Sequence, residues 1–202
     1  AQKRVEGFNF DTRKNVVQYD NVINRHRKVV YAMRRKILEG EDITAEIKEL
    51  FISKAAELAE LPSKNNEKFV SDFVEIFPVD EEKIEALGRI SNDKKRIKLA
   101  KQIAEELYQD KENELGKEVF QKVEREVYMQ ILDTLWMNHL ENMNFLREGI
   151  HWRSVGQRDP LVEYRAESQK LFDGLQNTLR DETIRILTRV TPNDAVAHQD
   201  EG

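Results

Sequence analysis

Arginine, histidine and tryptophan gather in one short stretch, Leu146 to Pro160, LREGIHWRSVGQRDP. Arg147, His151, Trp152, Arg153 and Arg158 offer cations and an aromatic plane there, with Ile150, Val155 and Gln157 between them, and no nucleophile stands beside a base. Such a set suits gripping another chain: guanidinium groups pair with carboxylates and carbonyls, and an indole covers apolar side chains. Trp152 is either a contact residue or a cover for its own turn. Bond-making chemistry lacks its residues elsewhere. The one Gly-Lys pair, Gly116-Lys117, has Lys111 where a phosphate-cradling loop needs glycine and Glu118 where it needs a hydroxyl. His26, His139, His151 and His198 never fall into an HExxH spacing, and the absence of cysteine excludes thiolate zinc sites and disulfides. His26 and His139 sit on apolar stripes, which reads as packed histidines with one bonded nitrogen, and Trp136 reads as core.

Two helical patterns must position the basic stretch. Before it, Leu132, Trp136, His139, Met143, Leu146 and Ile150 recur at steps of three and four, which places them on one face of a helix. After it, Asp159 can cap the free amides of a new helix, and Pro160 suits that helix's first position. Gly149 and Gly156 permit a reversal between the two. The expected product is a helix hairpin with its tip at residues 147–160.

The rest of the chain reads as a support for that hairpin. Val16, Tyr19, Ile23, His26, Val30, Met33 and Ile37 predict one helix from about Thr12 to Glu39, closed by Gly40 and about 40 Å long. A second long helix should begin near Lys117, with Phe120, Val123, Val127, Ile131 and Leu135 as a further stripe. A third should run from Pro160 to Arg189, burying Leu161, Tyr164, Phe172, Leu175, Leu179, Ile186 and Val190. Between the first two lies a segment of shorter patterns, punctuated by Pro62, Pro78 and Gly88, with a loop at Ser63 to Asn66. It should hold amphipathic helices on Ile43, Ile47, Leu50, Phe51 and Leu58, on Phe69, Phe73, Val74 and Phe77, and on Ile97, Ala100, Ile103, Ala104 and Leu107. Asp80 and Ser91 are its candidate N-caps. The fold class is all-α: a long-helix scaffold over 1–40, an inserted helical subdomain over 41–112, and the second scaffold part with the hairpin over 113–190. Residues 191–202 form a tail expected to fray.

Composition agrees with that class and limits the partners. The chain has 202 residues, 39% hydrophobic and 35% charged, with only 8 glycines and 4 prolines, so helices are favoured over sheets. The net charge of −5 hides segregation: Arg25 to Lys36 holds Arg25, Arg27, Lys28, Arg34, Arg35 and Lys36 with no acid. That run could meet phosphates of nucleic acid or anionic lipid, or it could be a solvated face paired within the protein. No apolar leader and no membrane-length apolar run is present, which predicts a soluble protein or a soluble fragment of one. A nucleic-acid or lipid-binding helical module and a plain helical interaction scaffold both fit this reading of the residues.

Two long stretches resemble a specific family. AQKRVEGFNFDTRKNVVQYDNVINRHR, Ala1 to Arg27, and LWMNHLENMNFLREGIHWRSVGQRDPLVEYRAES, Leu135 to Ser168, are similar to the C-terminal third of SecA, the ATP-driven motor of bacterial preprotein translocation. The resemblance implies that these parts are a helical scaffold, a helical wing and a two-helix finger, within a larger motor. It assigns Arg13, Tyr19, Asp20, Asn24 and Arg27 to the motor-facing scaffold. Arg147, Ile150, His151, Trp152, Arg153, Val155, Gln157 and Arg158 become contacts to cargo and channel, with valine at 155 where the family often carries tyrosine. Implied partners are the nucleotide-binding and preprotein-crosslinking domains of the same protein, unfolded preprotein, the SecY channel, anionic lipid and a second copy, without sequence-specific nucleic acid. ATP and magnesium would bind the parent motor, and this chain would hold no cofactor, metal or catalytic residue. The implied location is the bacterial cytoplasm and the inner face of the membrane.

Overall fold

The computed structural model describes the backbone of residues 2–60, 66–153 and 159–192, and the side chains of 16–60, 68–150 and 159–192. Seven α-helices and no strand occur among the described residues: α1 (Gln2–Leu38), α2 (Thr44–Ala59), α3 (Asn66–Ile76), α4 (Glu81–Gly88), α5 (Asp93–Leu115), α6 (Lys117–Arg153) and α7 (Pro160–Leu187). They fall into two compact units. One holds Ala1–Leu38 and Leu132–Asn177; the other holds Glu39–Ile131 and Thr178–Gly202.

The ends of these helices follow local chemistry. Gly40, after α1, has φ +73, and Gly116, after α5, has φ +81, a left-handed region that side chains with a Cβ avoid. Asp159 Oδ1 accepts from the Leu161 amide at 2.9 Å, the expected cap of α7. Asp80 caps α4 through the Lys83 amide at 2.9 Å. The expected cap at Ser91 is corrected by one residue: Asn92 accepts from the Lys95 amide at 3.0 Å and opens α5. Two start points also move, since α1 begins at Gln2 rather than near Thr12 and Asn66 already belongs to α3.

In the first unit, Leu132, Trp136, His139, Met143 and Ile150 are all buried, as their spacing requires. Met143, Ile150, Val22 and Tyr164 form one cluster, with Tyr19, Ile23, Leu146 and Leu171 packed against it. The seam of α1 differs from the expected one at its start: Val16 is 52% exposed, and Val22 is buried in the cluster. Arg34 forms a two-pronged bond from α1 to Asp133 of α6, at 2.8 and 3.0 Å.

The second unit is organised by aromatic rings. Phe51 of α2 lies edge-on to Phe77 and to Tyr108 of α5, and Tyr108 in turn meets Phe120 of α6. Phe120, Val123 and Val127 are buried here, so the start of α6 belongs with the inserted segment rather than with residues 132–153. The end of α7 joins the same unit. Lys54 reaches Asp181 at 2.8 Å, Arg185 reaches Glu75 at 3.0 Å, and Arg189 donates to the carbonyls of Glu75 and Ile76 at the end of α3. Thr183, Ile184, Leu187 and Thr188 are buried in that stretch together with the expected Leu179 and Val190, whereas the expected Ile186 is 41% exposed. A threonine can sit inward because its hydroxyl donates to a carbonyl one turn back, here Leu179 at 2.6 Å. On α5 the buried edge likewise passes through Arg96 and Tyr108 instead of Ile97 and Leu107. Fully buried Arg96 donates to the Ala59 carbonyl at 3.0 Å and to Asp93 at 2.9 Å, and lies over the Phe69 ring.

Candidate functional site

The hairpin is built by α6 and α7, and the part next to its turn rests on α1. Tyr19 meets Tyr164 edge-on at 4.7 Å, an arrangement that aligns the positive ring edge with the negative face. Asp20 and Arg147 stand 3.8 Å apart, both about half exposed, so water screens most of their attraction. Burial, and then the charge of Asp159, raises the Tyr19 pKa, which brings the α7 cap into the same neighbourhood. Tyr164 is also raised, by burial first, with Arg147 opposing. Tyrosines 19 and 164 therefore stay neutral and serve as packing surfaces with polar rims.

The residues expected to act together divide into three groups. Ile150 is 1% exposed inside the cluster with Val22, Met143 and Tyr164, so its side chain secures the hairpin instead of reaching a partner. Arg147, Asp20 and Asn24 are exposed, and Arg27 donates to Asn24 Oδ1 at 2.8 Å along α1. The side chains of Arg13, His151, Trp152 and Arg153, and all of Val155, Gln157 and Arg158, lie outside the described residues. Within the basic run, Arg34 is held by Asp133 and His26 is buried, which draws charge from that run onto the protein itself.

Farther along the same unit, His26 Nδ1 and His139 Nε2 share a hydrogen bond of 3.0 Å. One ring must donate and the other accept, so the accepting imidazole must be neutral and the bond cannot survive protonation of both rings. His26 lies flat on Phe172 at 4.2 Å with 2° between planes, and Trp136 stacks on His139 at 5.6 Å. Burial, joined by the charge of His26, pushes His139 down to about 4; burial lowers His26 too, with Asp173 working against it. This arrangement ties α1, α6 and α7 together.

One pair went unnoticed in the sequence. Tyr108 donates its hydroxyl to Glu124 Oε1 at 2.5 Å, and both side chains are buried. Glu124 lies four residues after Phe120 and three before Val127, so an acid at a stripe position was its visible signal. Among the described residues no group of three or more His, Cys, Asp or Glu is placed to hold a metal ion. No helix among them is long and apolar enough to cross a membrane.

Comparison with known proteins gives this geometry a lineage. The family described as the SecA wing and scaffold domain matches residues 1–191. The protein translocase subunit SecA of Clostridium tetani is 37% identical over 94% of this chain and 24% of its own length. That of Halothermothrix orenii is 38% identical over 94% of this chain and 23% of its own. That of Dehalococcoides mccartyi is 39% identical over 100% of this chain and 22% of its own. The chain thus spans about a quarter of the length of the relatives it matches. With an all-helical body, an inserted helical segment and a hairpin founded on the first long helix, the chain belongs to the SecA family, in its wing and scaffold domain.

Proposed function

We propose that this domain is the transmission of a protein-translocating motor: α1 bears on the ATP-driven domains, the inserted segment borders the path of the preprotein, and the hairpin tip touches both cargo and the SecY channel. The observation that carries this reading is the cluster of Val22, Met143, Ile150 and Tyr164. It fixes the turn end of the hairpin to the long helix, so that load at the tip passes into α1 through close-packed side chains instead of bending a loop. Nucleotide and magnesium belong, in this proposal, to the motor domains, and the domain itself neither binds nor hydrolyses ATP. Such a role requires no bond-making residues, in keeping with the buried histidines and the gripping chemistry of Arg147 and the tip.

A photoreactive residue at position 155 of the full-length translocase, engaged with the channel and an arrested preprotein, tests the contact. Adducts to both preprotein and channel are expected, and their absence, with adducts at the outer face of α1 instead, would refute it. Calorimetry of the isolated domain with magnesium-ATP should give no heat of binding. A saturable signal there would overturn the division of labour.

A further inference from the structure

Glu124 stands apart from everything the transmission reading uses. Its side chain is fully buried, its Oε1 accepts from Tyr108, and its Oε2 meets no hydrogen-bond partner. Among the described residues no lysine or arginine pairs with it. The groups that face it are Tyr108 and Glu112 from α5, Asp42 just before α2, and Thr44 at the start of α2. Lys117 and Arg125 act on Asp42. One turn before Glu124, Gln121 donates to Thr44 Oγ1 at 3.0 Å, and Thr44 donates its amide to Asp42 Oδ1 at 2.9 Å. These bonds converge where the inserted segment leaves α1 and returns to α6.

We propose that Glu124 is a proton-operated latch at the root of the inserted segment: as a neutral acid it lets α2, α5 and α6 close around it, and loss of its proton loosens that packing. The physical reason is the unpartnered oxygen. A neutral carboxyl tolerates one poorly satisfied oxygen, whereas a buried carboxylate with no cation and two acidic neighbours carries a large desolvation penalty. Burial first, with Asp42 and Glu112 adding to it, lifts the Glu124 pKa to about 7 from 4.5. The folded value lies above the unfolded one. The contribution of this group to stability is therefore complete below about pH 4.5, declines as pH rises, and is gone above about 7. Across that window the ratio of open to closed root should rise on the order of a hundredfold. The hydroxyls of Tyr108 and, less strongly, Thr44 favour the carboxylate and moderate the shift.

The test follows the carboxyl directly, by carbon NMR of the glutamate side chains in the whole chain, with the signal assigned by its loss in Glu124→Gln. A midpoint above pH 6 supports the latch, and one at or below 6 overturns it. Hydrogen exchange supplies the mechanical readout, corrected for the intrinsic rate and compared between pH 5.5 and 8.5. Amides of residues 44–59 and 104–115 should lose at least tenfold protection at the higher pH in the native chain and stay level in Glu124→Gln. An equal loss in both would overturn the proposal. Should Glu124→Gln fail to fold, Tyr108→Phe replaces it: removing the hydroxyl must move the Glu124 midpoint upward, and an unchanged midpoint counts against the latch.

Discussion

Replacing His139 by leucine should produce stability curves that converge and then cross as the solution is acidified. At pH 7.5 the native pair is neutral and hydrogen-bonded at 3.0 Å, and leucine strands His26 Nδ1 in a buried site, at a cost of about 1–3 kcal/mol. Acid reverses the balance. The folded pKa of His139, about 4, lies below the unfolded value of 6.5, so its contribution is complete above 6.5 and is lost as pH falls toward 4. At about 1.36 kcal/mol per pH unit, that window removes about 3 kcal/mol from the native chain. The leucine variant keeps only the same-signed loss from His26, whose pKa is also lowered. Near pH 4.5 the variant should equal or exceed the native chain. Urea unfolding followed by Trp136 fluorescence, in a Trp152→Phe background, reads this unit because Trp136 stacks on His139. Carboxylates common to both proteins cancel in the difference. Parallel curves from pH 7.5 to 4.5, or a His139 titration midpoint near 6.5, would refute the neutral-pair argument.

Other perturbations have smaller or more local signatures. Arg96→Ala should destabilise the second unit by about 3 kcal/mol in urea unfolding, since it empties a fully buried volume and leaves the Ala59 carbonyl without this donor. Gly116→Ala should cost about 1–3 kcal/mol through backbone strain alone, because φ +81 with ψ 142 is a conformation almost confined to glycine and nothing lies within 4 Å of the added methyl. Asp159→Ala removes the α7 cap and should cost about 1 kcal/mol, with faster amide exchange confined to the first turn of α7. Arg34→Ala should leave urea unfolding of the first unit almost unchanged, as both partners of its bond with Asp133 are about 40% exposed and water screens their attraction.

Much of this fold was legible because long amphipathic helices repeat their signal over many turns. The six-residue stripe from Leu132 to Ile150 and the caps at Gly40, Asp80 and Asp159 were read correctly from spacing and local chemistry. Reading failed where a polar residue fills a core position. Arg96, Thr183 and Glu124 break the apolar pattern, and each is accommodated by a partner remote from the pattern or by a backbone carbonyl, which periodicity does not register. The compact units also cut α6 and α7, so one continuous stripe serves two cores. For the site, type and spacing located the hairpin and the histidine pair's buried character. They did not separate Ile150, a packing residue, from the exposed Arg147 beside it, because both lie within the same stretch and only tertiary contact distinguishes them.

In the proposed transmission, the turn end of the hairpin is fastened to the first long helix and stays so while the motor works. Cysteines placed at Asp20 and Arg147, whose side chains now meet at 3.8 Å, allow a short bifunctional thiol reagent to lock α1 to α6 in the full-length translocase. The locked protein should transport preprotein at the unlocked rate. Transport that stops on locking and returns when the link is cleaved would contradict it.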